Sequence, residues 1–306
     1  MKFPVPGLWS ARIAPFKGLP RIIGLAGLLA GAALLSACSA VKLAYNQGPE
    51  LAYLRLDSYF DFNDAQTARV KEELQQVQRW HRATQLPAYI EAMKTWQALL
   101  PGEVDEAQVC KVADDIRAKL LAISNRAEPV VAELTPTLDK GQLAFLQRKF
   151  AKLNREYQED FLEGSPQERI GKRLKKAVSR AEMLYGSLDD KQVSLLRNQV
   201  TQSVFDASIS LAEHQRRQQD ALQTLRPLIG GAGSPAQARS AVRGYFERSL
   251  HSPNPAYRAY QDKLTRDNCR TLAMLHNSTS AVQRAKAVQT LADYAQDFSK
   301  LASQDV

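Results

Sequence analysis

Leu138 to Phe161 reads LDKGQLAFLQRKFAKLNREYQEDF. Its first five residues follow the pattern apolar, Asp, x, x, Gln. An Asp in this position accepts a hydrogen bond from the amide three residues on, and the Gln there reaches back to the Asp N–H, which is a capping box opening a helix. Behind it Leu143, Leu146, Phe150, Leu153, Tyr157 and Phe161 recur at steps of three and four, the spacing of one helix face.

The same device recurs along the chain. Phe62-Asn63-Asp64-Ala65-Gln66, Val104-Asp105-Glu106-Ala107-Gln108 and Leu188-Asp189-Asp190-Lys191-Gln192 repeat it. Ser165-Pro166-Gln167-Glu168 and Ser234-Pro235-Ala236-Gln237 are variants with Pro at the first helical position, where its missing N–H costs nothing. Helical stripes follow: Val109, Val112, Ile116, Leu120 and Ile123; Ile170, Leu174, Val178, Ala181 and Tyr185; Val193, Leu196, Val200, Val204, Ala207 and Leu211. Strand-like alternation is absent. The expectation is an all-α bundle of about eight to ten helices over residues 49–306, broken at Pro87, Pro101-Gly102, Pro129, Pro136, Gly164, Gly186, Pro227 and Pro253. The helix from Asp189 is expected to run on to Arg226, its polar middle (213–220) overhanging into solvent or edging a cleft. Gly230-Gly231-Ala232-Gly233 follows no strand and lacks the phosphate-loop pattern, so 230–234 reads as a possible internal boundary.

The N-terminus carries a different message. Lys2, Arg12, Lys17 and Arg21 precede an uncharged apolar run from Ile22 to Leu35, too short to span a bilayer and the right length for a signal-peptide core. It ends in Leu35-Ser36-Ala37-Cys38. This resembles the lipobox of bacterial lipoproteins, in which the Cys thiol takes diacylglycerol, the chain is cut before it and the new amine is acylated, palmitate being a usual chain. The resemblance implies a signal peptide over 1–37, lipid on Cys38 and a loosely structured tether over 38–48. Ser39 in place of Asp implies the outer membrane, periplasmic face. Two or more acyl chains hold a protein on a bilayer.

Four bases leave with residues 1–37, so the formal charge of +9 falls to about +5 in the remaining 269 residues, with 37 basic against 32 acidic side chains. Apart from one cluster at Lys172, Arg173, Lys175, Lys176 and Arg180, the bases are scattered. No nucleic-acid module is present, and no nucleic-acid partner is expected. Cys110 and Cys269 are the two remaining thiols, and in an oxidising periplasm they are expected to pair across 159 residues.

No catalytic set stands out: HExxH, GxSxG, CxxC and Cys/His clusters are all missing. Neither a metal nor a cofactor beyond the lipid is expected, and no catalytic residues are assigned. Asp57, Asp61 and Asp64 stand at helical spacing but lack the alternate oxygens and Gly of a calcium loop. His81 continues the stripe of Val70, Leu74 and Val77 beside Trp80; a hydrogen-bonded core histidine is the simpler reading and a functional one the sharper.

Tyr45-Asn46, Leu56-Asp57 with Tyr59 and Asp61, the cap at 63–66, Trp80-His81, Leu86-Pro87 and Tyr89 together resemble a family of uncharacterised bacterial lipoproteins, a domain of unknown function. The likeness implies nearly the whole mature chain and no assigned activity. The repeated Leu-Asp-x-x-Gln is similar to the LTxxQ motif of the Spy-type periplasmic chaperones and stress sensors, with Asp or Asn in place of Thr. The function expected is therefore a non-catalytic binding or scaffold protein of the envelope, with an envelope protein or polymer as partner. The alternatives are an ATP-independent chaperone or stress sensor, and an enzyme of envelope metabolism.

Overall fold

The computed structural model describes residues 41–304. Residues 1–37 and Cys38, with their expected signal peptide and lipid, lie outside the described residues. Among the described residues the chain forms α-helices and no strands: α1 (Gly48–Phe60), α2 (Asp64–Trp80), α3 (Leu86–Leu99), α4 (Glu106–Leu134), α5 (Lys140–Phe161), α6 (Pro166–Tyr185), α7 (Asp190–Gln202), α8 (Ala207–Leu225), α9 (Pro235–Leu250), α10 (Pro255–Asn277) and α11 (Ala281–Ala302). A π-helical turn, His81–Gln85, joins α2 to α3 in one rod. The fold is the all-α bundle that the periodicity predicts.

All six sequence-predicted capping boxes form, at Asn63, Asp105, Asp139, Ser165, Asp189 and Ser234. A seventh opens α11 at Ser280, with Gln283 as its return arm. Four of the glutamines then do more than cap. Gln66 and Gln142 bond each other amide to amide, Nε2 to Oε1 in both directions at 3.1 and 2.7 Å. Each Oε1 also accepts its own cap N–H. Each Nε2 also donates to a carbonyl two residues before the partner's cap, Thr137 for Gln66 and Asp61 for Gln142. Gln192 and Gln283 repeat the arrangement at 2.8 and 2.9 Å, with Ser278 and Ser187 supplying the carbonyls. Every amide hydrogen and both lone-pair positions of all four side chains are therefore engaged, as a buried amide requires.

These two pairs mark two poles. At the first, α1, α2, α5 and α8 meet around Leu138, Leu146, Leu222, Leu225 and Ile229, with Tyr59, Phe60 and Phe62 laid against them. At the second, α6, α7, α10 and α11 meet around Leu174, Tyr185, Leu196, Leu275 and Ala287. The rod from Asp64 to Leu99, roughly 54 Å at 1.5 Å per residue, and the long α4 run between them. At the second pole, Val104 exchanges two backbone bonds of 2.9 Å with the Asn277 side chain, and His276 Nε2 donates to the Gly102 carbonyl. Cys110 and Cys269 are joined, tying α4 to α10 with their Cα atoms 5.3 Å apart.

Several local expectations are corrected. Residues 41–46 are helical and docked rather than a loose tether. Pro87 does not break the rod, because the π turn just before it, closed by Leu86 N–H to His81 O, takes up the extra residue. Pro129 lies inside α4. The helix expected over 189–226 stops at Gln202 and restarts at Ala207, since Asp206 caps Ser208 and Ile209 and its own N–H is taken by the Tyr260 hydroxyl. Its polar middle is not overhanging: Glu213 is 4 % exposed and its carboxylate accepts from Arg216, Arg217 and Ser252. The 230–233 turn docks through Gly230 N–H to Leu138 O, with Gly230 and Gly231 at positive φ.

Two outcomes follow for stability. Gln142→Leu is expected to cost about 3 kcal/mol, because it orphans a buried Gln66 amide and the Asp139 cap. Adding Gln66→Leu should cost clearly less than a second independent loss, a coupling readable in a urea double-mutant cycle; strict additivity would refute the pairing. Reducing Cys110–Cys269 should lower stability by up to about 5 kcal/mol in the loop-entropy account, seen as a fall in the urea midpoint with reductant.

Candidate functional site

The π turn sets His81 between two tyrosines from opposite ends of the local sequence. Tyr45 OH lies 3.0 Å from Nδ1 and Tyr89 OH lies 3.2 Å from Nε2. One hydroxyl donates to the bare nitrogen and the other accepts from the ring N–H. Trp80 meets the imidazole edge-on at 6.3 Å, as does Tyr89 at 5.3 Å. Arg82, the next residue, is 7 % exposed; it donates to Asn46 Oδ1 at 2.9 Å and reaches the Gln304 carbonyl at 3.4 Å, its guanidinium lying over the Tyr45 ring. Gln78 donates to the Tyr45 carbonyl at 2.6 Å. Lys42 stands 3.9 Å from the buried Asp297 carboxylate. Together these contacts clamp residues 42–46 onto the rod and onto the end of α11.

Burial governs the electrostatics. It pushes the His81 imidazole below its usual pKa, favouring the neutral ring. It pushes the Tyr45 and Tyr89 hydroxyls up, with Arg82 partly opposing the shift at Tyr45. The cluster is thus a neutral, mutually hydrogen-bonded Tyr–His–Tyr bridge. A second bridge of this kind lies at the second pole, where Tyr185 OH donates to His276 Nδ1 at 3.0 Å and burial pushes the Tyr185 pKa up to about 12.

Beside this second bridge, α3 and α4 leave an apolar cleft of about 200 Å³, lined by Trp96, Leu99, Val112, Tyr185, Leu272 and His276. Ile116 and Leu120 are 44 % and 62 % exposed on the same flank of α4. The Trp96 indole N–H is buried without a partner. Asp57, Asp61 and Asp64 do not converge: Asp57 caps the Phe62 N–H, Asp61 sits in a left-handed turn and Asp64 opens α2. Among the described residues no group of three His, Cys, Asp or Glu is placed to hold a metal ion, and no helix is long and apolar enough to cross a membrane. Of the basic cluster, Arg173 covers the Phe205 ring and Lys176 covers Phe161 while pairing with Asp160.

The profile of DUF6279, a family of unknown function, matches residues 58–231. The chain belongs to this family. The match begins within α1 and ends at the glycine turn, a shorter span than the near-complete likeness expected from the sequence. No curated protein and no solved structure matches the chain.

Trp80 and His81, singled out in the sequence, do sit together, and Tyr45, Asn46 and Tyr89 converge on them. Arg82, Lys119 (5.6 Å from the Tyr89 ring centre) and Asp297 complete the surroundings and carry no signal in sequence, being ordinary charged residues on helices far apart in the chain.

The His81 shift has a definite sign. A histidine whose folded pKa is depressed contributes stability that is complete above the unfolded value near 6.5 and is lost as pH falls below it. His214 and His276 are also lowered by burial and act in the same direction. The urea midpoint should therefore drop between pH 7 and pH 5, and His81→Gln should flatten part of that slope; an unchanged slope would show that His81 does not titrate with folding.

Proposed function

We propose that this protein is a lipid-anchored, non-catalytic binding protein of the bacterial envelope, held by acyl chains on Cys38 at the periplasmic face of the outer membrane. The observation that carries this reading is the clamp on residues 42–46. Four residues after Cys38 the chain is fixed to the body by Lys42–Asp297, Tyr45–His81 and Asn46–Arg82. An anchor joined so closely holds the helical body in a set orientation against the bilayer instead of letting it swing on a tether. That is useful to a protein that presents a surface to a partner. His81 supports binding over catalysis in the same way, since both ring nitrogens are engaged by tyrosine hydroxyls.

The chaperone reading has one observation of its own, the exposed apolar flank of α4 at Ile116 and Leu120 beside the cleft. Crosslinking in intact cells followed by purification separates the two. A discrete envelope partner captured by the native protein and lost in Cys38→Ala is the expected result. A broad set of unfolded clients would replace the adaptor reading with the chaperone one, and no capture at all would refute both.

A further inference from the structure

We infer that the cleft between α3 and α4 takes one of the acyl chains carried on Cys38 of this same chain; the inference rests on the lipidation proposed above. The helices around the cleft share a register. Tyr89 of α3, Lys119 of α4 and Phe298 of α11 lie at one level, with Lys119 and Phe298 against the Tyr89 ring. Seven residues along each helix, toward the second pole, stand Trp96, Val112 and Leu291, all lining the cleft. Seven residues are two turns, about 10 Å.

The N-terminal segment travels in that direction. Asn46 sits with Arg82, which contacts Gln304 at the far end of α11. Lys42 sits at Asp297, about two turns nearer the cleft. Read backwards, the chain therefore runs along α11 from the middle of the rod toward the cleft mouth. Cys38 lies only three links before Val41, a reach of at most about 11 Å. That reach matches the distance of about 10 Å from the level of Lys119 and Phe298 to the cleft.

The lining suits a hydrocarbon chain. It is mostly apolar, its Tyr185 hydroxyl and His276 ring are bonded to each other, and one buried donor without a partner, the Trp96 indole N–H, can meet the carbonyl of an ester or amide. Lys119, beside Tyr89 at the cysteine end, leaves that end open to polar linkage atoms. A chain held there covers Trp96 and the flank at Ile116, while the others remain for the bilayer, where two still suffice for anchoring.

The test compares lipidated protein, with intact mass establishing the modification on Cys38, against the chain from Ser39 onward exported behind an ordinary signal peptide. The probe is a dansyl-labelled undecanoic acid. The unlipidated chain should bind one equivalent, and the lipidated protein at least tenfold more weakly because its own chain competes. Val112→Trp, which fills the cleft, should abolish binding by the unlipidated chain. Should that variant not fold, a chain-brominated fatty acid read on Trp80→Phe protein must quench Trp96 fluorescence. No saturable binding, or no quenching, would overturn the cleft as an acyl site. Equal binding by both forms would overturn the protein's own lipid as occupant. An unmodified Cys38 by mass would remove the anchor reading itself, a failure separate from that of the cleft.

Discussion

Two reciprocal glutamine pairs hold this helical body together. A capping box alone is a local device; it says that a helix starts and nothing about what lies beside it. When the return arm of one box bonds the return arm of another, two helix starts distant in sequence are fixed in one geometry. Gln66 to Gln142 and Gln192 to Gln283 do this at opposite poles. The arrangement is demanding because a primary amide has two donors and an acceptor with two lone pairs, and all must be met out of water. Displacing either helix by a turn would leave several buried polar atoms unpaired at once. Apolar packing around Leu146 or Leu196 could tolerate a slide of that size with a different set of contacts; the amides cannot.

Fold class and helix starts were legible in the chain because both are written locally, in a four-residue cap and a 3.6-residue stripe. The pairing of caps was not, since no local rule says which glutamine meets which. The same limit explains the helix expected through Ser203 to Asp206. Periodicity carried straight across it, and what ends α7 and starts α8 includes Tyr260 and Asp267, from α10. The polar stretch at 213–220 misled for a related reason. Glu213 is buried only because Ser252 and the arginines of its own helix satisfy it, so its composition resembles that of a solvated face. At the candidate site His81 and Trp80 were legible as an oddity on an apolar stripe. That residues 42–46 close over the histidine was not, because short polar segments after a signal peptide usually have no core to join.

The two Tyr–His bridges show how the protein uses histidine at its joints. At the second pole His276 links the α3–α4 loop to α6 through Gly102 and Tyr185; midway along the rod His81 links the N-terminal segment to α3 through Tyr45 and Tyr89. In each case burial keeps the ring neutral, so it can give one hydrogen bond and accept one, which no aliphatic side chain could do at these crossings.

The π turn at His81–Gln85 also has a bearing on how this rod tolerates change. His81 and Tyr89 are eight positions apart, which in an unbroken α-helix would set them roughly 80° apart around the axis at 3.6 residues per turn. The turn absorbs one of those positions, and the two rings end up almost in line. The extra residue therefore acts as a fixed offset in the angular bookkeeping of everything from Pro87 to Leu99. Losing one residue within the turn after His81 would leave an unbroken α-helix with seven positions between the two rings, and Tyr89, Trp96 and Leu99 would keep their facing. A one-residue deletion is consequently better accommodated in these positions than elsewhere along the rod, where it would turn every later side chain by about 100°.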